Sequence, residues 1–287
     1  MASLQIFRLA LLTTAALLAF AANSLLCRLA LAGKHIDPAS FNTIRLVSGA
    51  VVLAIIVGAR RDKSEGRGNW ISALALFVYA AGFSFAYVGL TASTGALLLF
   101  GAVQLTMITA GLRRGERLRS MQIIGFAGAI GGLILLLLPG LAAPPFASSS
   151  LMLTAGIAWG IYSLRAKGAG DPTRVTAGNF MRAAPMALAT SLLIFLLAST
   201  DAHINRTGLL YGLASGALAS GMGYVIWYAA LRHLRTTSAA ALQLSVPVIA
   251  SVGGIVFLSE PLTITLLVAS VLTLGGMGLV IFGQPER

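Results

Sequence analysis

Three amide side chains lie inside long apolar runs of this sequence, and such groups can bind a polar solute or a neighbouring helix. They are Asn23, Gln104 and Gln243. An amide without a hydrogen-bond partner is costly in an apolar medium, so each should face a cavity or another helix. For Asn23 both interpretations are open. Gln104 and Gln243 lie at similar depths in their runs, which favours a shared cavity.

Aromatic side chains recur in the third apolar run at helical spacing. Tyr79 and Phe83 are four residues apart, and Tyr87 follows one turn later. Residues at this spacing share one face of a helix. The rings therefore form either a packing stripe or one wall of a cavity.

A second aromatic group centres on Trp159. Tryptophan normally lies at the surfaces of a membrane, as we expect for Trp70, but Trp159 lies near the middle of its run. Its indole N–H needs a partner, so Trp159 should face the interior, either against a solute or in plain packing. Tyr162 lies three residues later on a similar face, and Tyr224 and Trp227 form a pair with the same spacing.

A pocket built from amides, phenols and rings suits an amphiphilic solute that is neutral overall. Amide and phenol groups can bond the ammonium and carboxylate of a zwitterion, while rings accept its apolar side chain. The residue types therefore point to binding rather than to covalent chemistry.

No carboxylate lies at the middle of an apolar run. The eight acidic residues are at run ends or in loops: Asp37, Asp62, Glu65, Glu116, Asp171, Asp201, Glu260 and Glu286. A carrier that exchanges organic cations for protons usually needs a carboxylate at mid-membrane, so a cationic drug pump is disfavoured. The sequence also lacks a His/Cys/Asp cluster for a metal and a nucleophile beside a base. We expect no enzyme activity, no metal and no cofactor.

Three arginines interrupt the apolar runs: Arg28, Arg45 and Arg182. Arg165 follows Arg28 by 137 residues, and Arg182 follows Arg45 by the same interval. Recurrence in both halves indicates a structural role, with long side chains that reach water from near the helix ends. Binding of a carboxylate is the alternative.

The elements that position these residues are membrane spans. Hydrophobic residues make up 57% of the 287 residues and charged residues 10%, and the mean hydropathy is +0.90. These values exceed those of soluble domains, and an apolar run of about 20 residues crosses a bilayer as a helix. We predict ten spans: Ile6 to Leu31, Ala39 to Gly58, Trp70 to Leu90, Thr94 to Leu112, Met121 to Leu138, Ser150 to Leu164, Thr176 to Ala198, Leu209 to Leu231, Ser238 to Phe257 and Thr263 to Phe282.

The first span is expected to remain in the protein. Arg8 followed by an apolar run and Ala19-Phe20-Ala21 is similar to a cleavable signal peptide. The apolar run, however, continues to Leu31.

Lysine and arginine are distributed unequally between the two sides of this topology. Fifteen lie on one side, and only Lys34 and Arg206 lie on the other. Positive residues collect on the cytoplasmic side, so both termini are predicted to be cytoplasmic. Topology thus explains the net charge of +12 without a nucleic-acid partner.

A pattern of helix, turn and glycine-rich helix occurs twice, 144 residues apart. The copies share a glutamate at the turn, Glu116 and Glu260. They also share a glycine pair behind it, Gly131-Gly132 and Gly275-Gly276, which should allow close packing of the closing helices. We interpret the pattern as an internal duplication.

The duplication predicts an all-α polytopic membrane protein made of two five-helix repeats, residues 1–143 and 144–287. Five spans per half is an odd number, so the second half must enter the membrane inverted. Equivalent loops of the two halves carry opposite Lys/Arg content, as an inversion requires. Inverted repeats are typical of secondary transporters, which bind their solute near the bilayer midplane.

The closing turns resemble those of the EamA-type drug/metabolite transporter superfamily. They read Gly115-Glu116-Arg117-Leu118 and Ser259-Glu260-Pro261-Leu262. The second half matches best, through Trp227-Tyr228-Ala229-Ala230-Leu231, Ala239-Ala240-Ala241-Leu242 and Pro247.

The first half is similar to YddG-type amino acid exporters within that superfamily. It has Ser84-Phe85-Ala86-Tyr87, and Val103-Gln104 where the ninth helix has Pro247. The resemblance covers nearly the whole chain. It implies a ten-helix exporter of the bacterial inner membrane that carries amino acids, often aromatic ones, or related metabolites.

The leading hypothesis is a secondary transporter that exports neutral amino acids, aromatic or large and apolar, by alternating access around a central cavity. The alternatives are an exporter of another metabolite or drug, such as a nucleobase or sugar, and a structural membrane subunit. Ion coupling is open. The expected partners are a small solute and the lipid bilayer, with no nucleic acid and a monomeric state.

The candidate solute-binding residues of this hypothesis are Asn23, Tyr79, Phe83, Gln104, Trp159, Tyr162, Tyr224, Trp227 and Gln243. Pro185 and Pro247 are candidate hinges, because proline lacks the N–H that the preceding helical turn would bind.

Overall fold

The computed structural model describes residues 2–60, 66–113, 115, 118–138, 143–166, 170–198, 202–231, 233–234 and 242–282. These residues fold into helices joined by short links, with one isolated antiparallel bridge between Ile36 and Ile204. The helices are α1 (Ala2–Ala32), α2 (Pro38–Ala59), α3 (Trp70–Ala86), α4 (Ala92–Arg113), α5 (Ser120–Leu137), α6 (Phe146–Ala166), α7 (Pro172–Ala198), α8 (206–231), α9 (Ser245–Leu258) and α10 (Ile264–Phe282).

Most of the helices have the length and composition of membrane spans. Within the described residues, seven are long and apolar enough to cross a bilayer, and Trp70–Ala86 and Ser245–Leu258 are shorter apolar helices. Large apolar side chains cover their outer surfaces, for example Leu192, Leu196 and Leu197 on α7. Such a surface matches a hydrocarbon environment.

The helix bounds differ from the predicted spans mainly at the ends. The first span begins at Ala2, and the sixth, predicted as Ser150 to Leu164, runs from Phe146 to Ala166. The start of the predicted ninth span, at Ser238, lies outside the described residues. Helix α9 is described from Ser245 and carries Pro247 in its first turn, where a missing N–H disturbs no helical bond.

Polar residues start several helices where the chain enters a span. Asp37 caps α2 by accepting a hydrogen bond from the Ser40 amide, with Pro38 as the first helical residue. Asn69 accepts in the same way at α3, and Asn205 at α8. Caps of this kind satisfy amides that the first helical turn leaves without partners.

Helix α8 is helical throughout but changes its winding. It is α-helical over Arg206–Leu213, π-helical over Ala214–Met222 and α-helical again over Gly223–Leu231. A π-helix bonds residue i to i+5, so residues five apart lie nearly on one face.

The packing separates a central group of helices from a peripheral pair. Helices α5 and α10 pack chiefly against each other, whereas α1, α2, α3, α4, α6, α7 and α8 surround the interior. Two glycines permit the close approach of the pair. A Cβ on Gly276 would meet the carbonyl oxygen of Gly125 and would lie 2.7 Å from the Ala129 nitrogen. A Cβ on Gly132 would lie 2.8 Å from the carbonyl oxygen of Ala269.

The other members of the two predicted glycine pairs have no such role. A Cβ built on Gly131 or on Gly275 meets no described atom within 4 Å. Only one glycine of each pair therefore lies at the interface. Glu116 lies outside the described residues, so the likeness of its turn to the Glu260 turn stays a prediction.

Adjacent glycines of α10 allow a matched test of this packing. We expect Gly276→Ala to lower the free energy of unfolding by about 1–3 kcal/mol, because the new methyl group enters the backbone of α5. Gly275→Ala adds the same group on an open face and should leave stability unchanged or slightly raised. Thermal unfolding in detergent measures both. Equal melting temperatures for the two variants would contradict the described interface.

Candidate functional site

Four aromatic rings meet in the interior of the bundle, and we call them the central cluster. Trp159 of α6 lies at their centre. Its ring centroid is 4.7 Å from that of Tyr79, 5.0 Å from that of Tyr224 and 5.4 Å from that of Tyr162. All four side chains are buried. Three helices, α3, α6 and α8, thus converge on one point.

The rings continue from the cluster along α3 toward one end of the bundle. Phe83 lies 5.6 Å from Tyr79 and 4.8 Å from Tyr87, measured between ring centroids. On the opposite side, Phe20 of α1 contacts Tyr224 at 5.9 Å and Trp227 at 5.7 Å. The predicted pair on α8 is therefore part of the interior.

Arg45 of α2 lies against these rings, and this corrects the prediction that its side chain reaches water. The residue is 1% exposed. Its Nη2 donates a hydrogen bond to the Tyr79 hydroxyl at 2.8 Å, and its Nε donates to Ser220 Oγ at 3.3 Å. Its Cζ lies 4.6 Å from the ring centroid of Phe83 and 5.1 Å from that of Tyr79. A cation at such distances is attracted to the ring faces.

A chain of hydrogen bonds joins this arginine to α1 and α8. Asn23 Nδ2 donates to the Tyr79 hydroxyl at 3.4 Å, and Ser215 Oγ donates to Asn23 Oδ1 at 2.6 Å. Because α8 is π-helical here, Ser215 and Ser220 lie on the same side, one toward Asn23 and the other toward Arg45. Asn23 is therefore hydrogen-bonded to a neighbouring helix and also lies next to the central cluster.

Close backbone contact holds α8 against α2 at this level. A Cβ on Gly216 would meet Ser48 Oγ and the carbonyl oxygen of Arg45, and a Cβ on Gly49 would lie 3.1 Å from the carbonyl oxygen of Gly216. Glycine at both positions lets the serine-bearing face of α8 approach the guanidinium.

The remaining predicted residues lie at other places. Gln104 is buried in α4, and Gln243 is half-buried just before α9. Tyr162 has a partner that the sequence did not indicate: Asn179 Nδ2 of α7 donates to its hydroxyl at 3.5 Å. The role of each as a solute contact stays a prediction.

A clamp of polar groups closes the end of the bundle beyond Tyr87. Glu260 accepts hydrogen bonds from the Ala92 amide at 2.8 and 3.0 Å and from Arg28 Nε at 3.2 Å. Arg28 Nη1 in turn donates to the carbonyl oxygen of Tyr87 at 3.0 Å. The glutamate thus satisfies the first amide of α4 and ties α1 and α4 to the turn between α9 and α10.

The described part of the chain brings no three His, Cys, Asp or Glu side chains together in a way that could hold a metal ion. The polar groups of the interior are instead arginine, amides and hydroxyls around aromatic rings. This set can bind a solute through hydrogen bonds and ring contacts.

The sequence of this helical bundle matches a family model twice. The model of the EamA-like transporter family matches residues 8–138 and again residues 147–282. The chain therefore belongs to the EamA-like transporter family, whose name indicates a transporter rather than an enzyme. With its apolar helices, it is a multi-pass membrane protein.

Three curated proteins are similar to the chain. The "Uncharacterized protein PA1977" of Pseudomonas aeruginosa is 52% identical over 275 residues, which cover 96% of this chain and 94% of that protein. A "Probable amino-acid metabolite efflux pump" of Salmonella typhimurium is 30% identical over 69% of this chain and 70% of its own. A "Probable terminal-alkyne amino-acid exporter" of Streptantibioticus cattleyicolor is 27% identical, over 84% of this chain and 83% of its own.

A solved crystal structure of another protein has the same fold. Its TM-score is 0.67 with 18% sequence identity, and the match covers 97% of this chain and 99% of that one.

The clamp can be tested through Cys27, the one cysteine of the chain, which is buried next to Arg28. We expect Glu260→Gln to raise the rate at which N-ethylmaleimide labels Cys27, because the weakened clamp opens this end more often. The free energy of unfolding should fall by about 1–3 kcal/mol. Labelling is followed by mass spectrometry.

Asp171→Asn is the matched control for this test. It removes the carboxylate that pairs with Arg60 at 3.1 Å, away from Cys27. Labelling of Cys27 should stay at the wild-type rate. If Glu260→Gln labels no faster than Asp171→Asn, the glutamate does not hold this end closed.

Proposed function

We propose that this protein exports neutral amino acids with aromatic or large apolar side chains, by alternating access around the central cluster. The observation that carries the proposal is the group of rings around Trp159, with hydrogen-bonding groups beside it. Two relatives whose names describe amino-acid export support the same cargo class.

The chemistry of the cluster suits such a cargo. Ring faces accept an apolar or aromatic side chain, with preferred centroid distances of about 4.5–7 Å. The polar atoms beside the rings, on Asn23, Arg45 and Ser215, can orient the backbone groups of an amino acid. A purely apolar lining would bind the side chain but would not orient the backbone groups.

Electrostatics disfavours an organic cation as the cargo. The acidic residues that the structure describes are Asp37, Asp171 and Glu260, and each accepts a hydrogen bond from an amide at the start of a helix. The charged side chain at the cluster is instead Arg45. A cation there would meet a like charge in a medium that screens poorly.

Alternating access follows from the proposed repeats. Two inverted five-helix units, 1–143 and 144–287, are supported by the family model, which matches once in each. The clamp at Glu260 closes the end that we assign to the outer side, because the inner side carries most of the lysine and arginine. Both termini are then cytoplasmic in a bacterial-type inner membrane. Pro185, which lies inside α7, is the proposed hinge. A hinge at Pro247 stays a prediction, because its missing N–H lies in the first turn of α9. The transporter acts as a monomer.

Counterflow in proteoliposomes tests the proposal. Vesicles loaded with phenylalanine should take up labelled phenylalanine without an imposed proton gradient. We expect Trp159→Ala to slow this uptake about 10- to 30-fold, because the central ring contact is lost.

Trp70→Ala is the matched control, since Trp70 is 61% exposed at the start of α3. Its uptake should equal that of the wild type. Uptake that requires an imposed proton gradient would contradict the expectation of uptake without one. Absence of uptake of any amino acid, with or without the gradient, would contradict the proposed cargo.

A further inference from the structure

We propose that Arg45 selects the cargo by its carboxylate, and that the site accepts apolar or aromatic monocarboxylates whether or not they carry an ammonium group. The inference rests on the proposed function and defines its cargo by chemical groups. Amino acids become one kind of cargo within a wider class, defined by one carboxylate and an apolar body.

The guanidinium of Arg45 is buried, and its hydrogen-bond acceptors carry no negative charge. Arg45 lies two turns into α2 and is 1% exposed, and its hydrogen-bond acceptors are the hydroxyls of Tyr79 and Ser220, both neutral. A buried charge is normally paired, because neutral groups do not replace the hydration that it loses. The described acidic residues are engaged at helix starts.

One nitrogen of the same side chain has no hydrogen-bond partner among the described residues. Arg45 Nη1 is buried, and no hydrogen bond reaches it from the described residues. The rest of the guanidinium contacts the hydroxyls of Tyr79 and Ser220 and the ring of Phe83. An orphaned donor on a cation is a position that an anionic acceptor would fill.

A carboxylate is the anion that suits the Arg45 guanidinium. A guanidinium presents planar N–H groups that match the two oxygens of a carboxylate. One guanidinium supplies one positive charge, so a monoanion neutralises the site, whereas a dianionic phosphate would leave an excess negative charge. The rings of Phe83 and Tyr79, within 5.1 Å of the guanidinium carbon, would then flank an apolar body.

The central cluster offers few partners to the ammonium group of an amino acid. The hydrogen bonds of the Tyr79 and Tyr162 hydroxyls come from Asn23, Arg45 and Asn179, none of which is a carboxylate. An ammonium there would have only ring faces and hydroxyl or amide oxygens as partners, and it would repel Arg45. A zwitterion leaves the net charge of the site unchanged, and a monocarboxylate brings it to zero. The carboxylate is therefore required, and the ammonium is not.

A panel of phenylalanine analogues tests this on the wild-type protein in proteoliposomes. Unlabelled 3-phenylpropionate, which lacks the ammonium, should compete with labelled phenylalanine at least as well as phenylalanine does. Phenylalaninamide, which lacks the carboxylate, should compete about 10- to 100-fold less well, since it loses a charge-assisted hydrogen-bond pair.

Variants of Arg45 test the residue itself. Arg45→Gln should weaken competition by both carboxylates about 10- to 100-fold and leave phenylalaninamide unchanged, which a merely structural defect would not do. Arg45→Lys keeps the charge and should restore part of the difference. Arg182→Gln is the control, because Arg182 is half-buried and donates to the carbonyl oxygens of Arg67 and Gly178.

The outcomes separate the two proposals. If phenylalanine is not carried by the wild type, the amino-acid export proposal fails. If phenylalanine is carried but phenylalaninamide competes equally well, the role of Arg45 is wrong and the export proposal stands. Failure of 3-phenylpropionate to compete would overturn the statement that the ammonium is dispensable. Should Arg45→Gln not fold, the wild-type panel alone decides.

Discussion

A guanidinium held inside an apolar bundle is the constraint around which the centre of this protein is arranged. Hydrocarbon offers no hydrogen bonds, so each polar group of a span must be satisfied by the protein. Arg45 of α2 donates hydrogen bonds to the Tyr79 hydroxyl of α3 and to Ser220 of α8, and its guanidinium lies over the Phe83 ring. Glycine at position 216 lets α8 come close enough for this. One charge thus determines how three helices meet.

The negative charges of the described residues are kept at the helix ends. Each described carboxylate accepts a hydrogen bond from a backbone amide at the start of a helix. Asp37 does so at α2, Asp171 at α7 and Glu260 at α4. These amides are the ones that a helix leaves without partners, and the positive end of the helix dipole favours a carboxylate there. The result is a bundle whose ends carry the carboxylates and whose centre carries the guanidinium. Such a profile disfavours cations and favours anionic groups at the middle.

The aromatic site was predictable because its signal is local. The spacing of Tyr79 and Phe83, and the depth of Trp159 in its run, depend only on helix periodicity and on the usual position of tryptophan in membranes. The structure joins these rings into one cluster and buries Tyr224 and Trp227 with them. The position of the Arg45 side chain was not predictable in this way. Its distance from the helix ends left water and the interior both within reach of a long side chain, and only the neighbouring helices determine which it meets.

By itself, the sequence determined that this chain is an apolar, all-helical membrane protein with glycines for close packing and a tryptophan in its interior. These follow from composition and periodicity, which tertiary contacts do not change. Only the tertiary structure decided which of Gly275 and Gly276 lies against α5, because that depends on the rotation of α10 about its axis. The same holds for Ser215 and Ser220. They share one face because α8 is π-helical there, whereas the periodicity of an ordinary α-helix would place residues five apart on different faces.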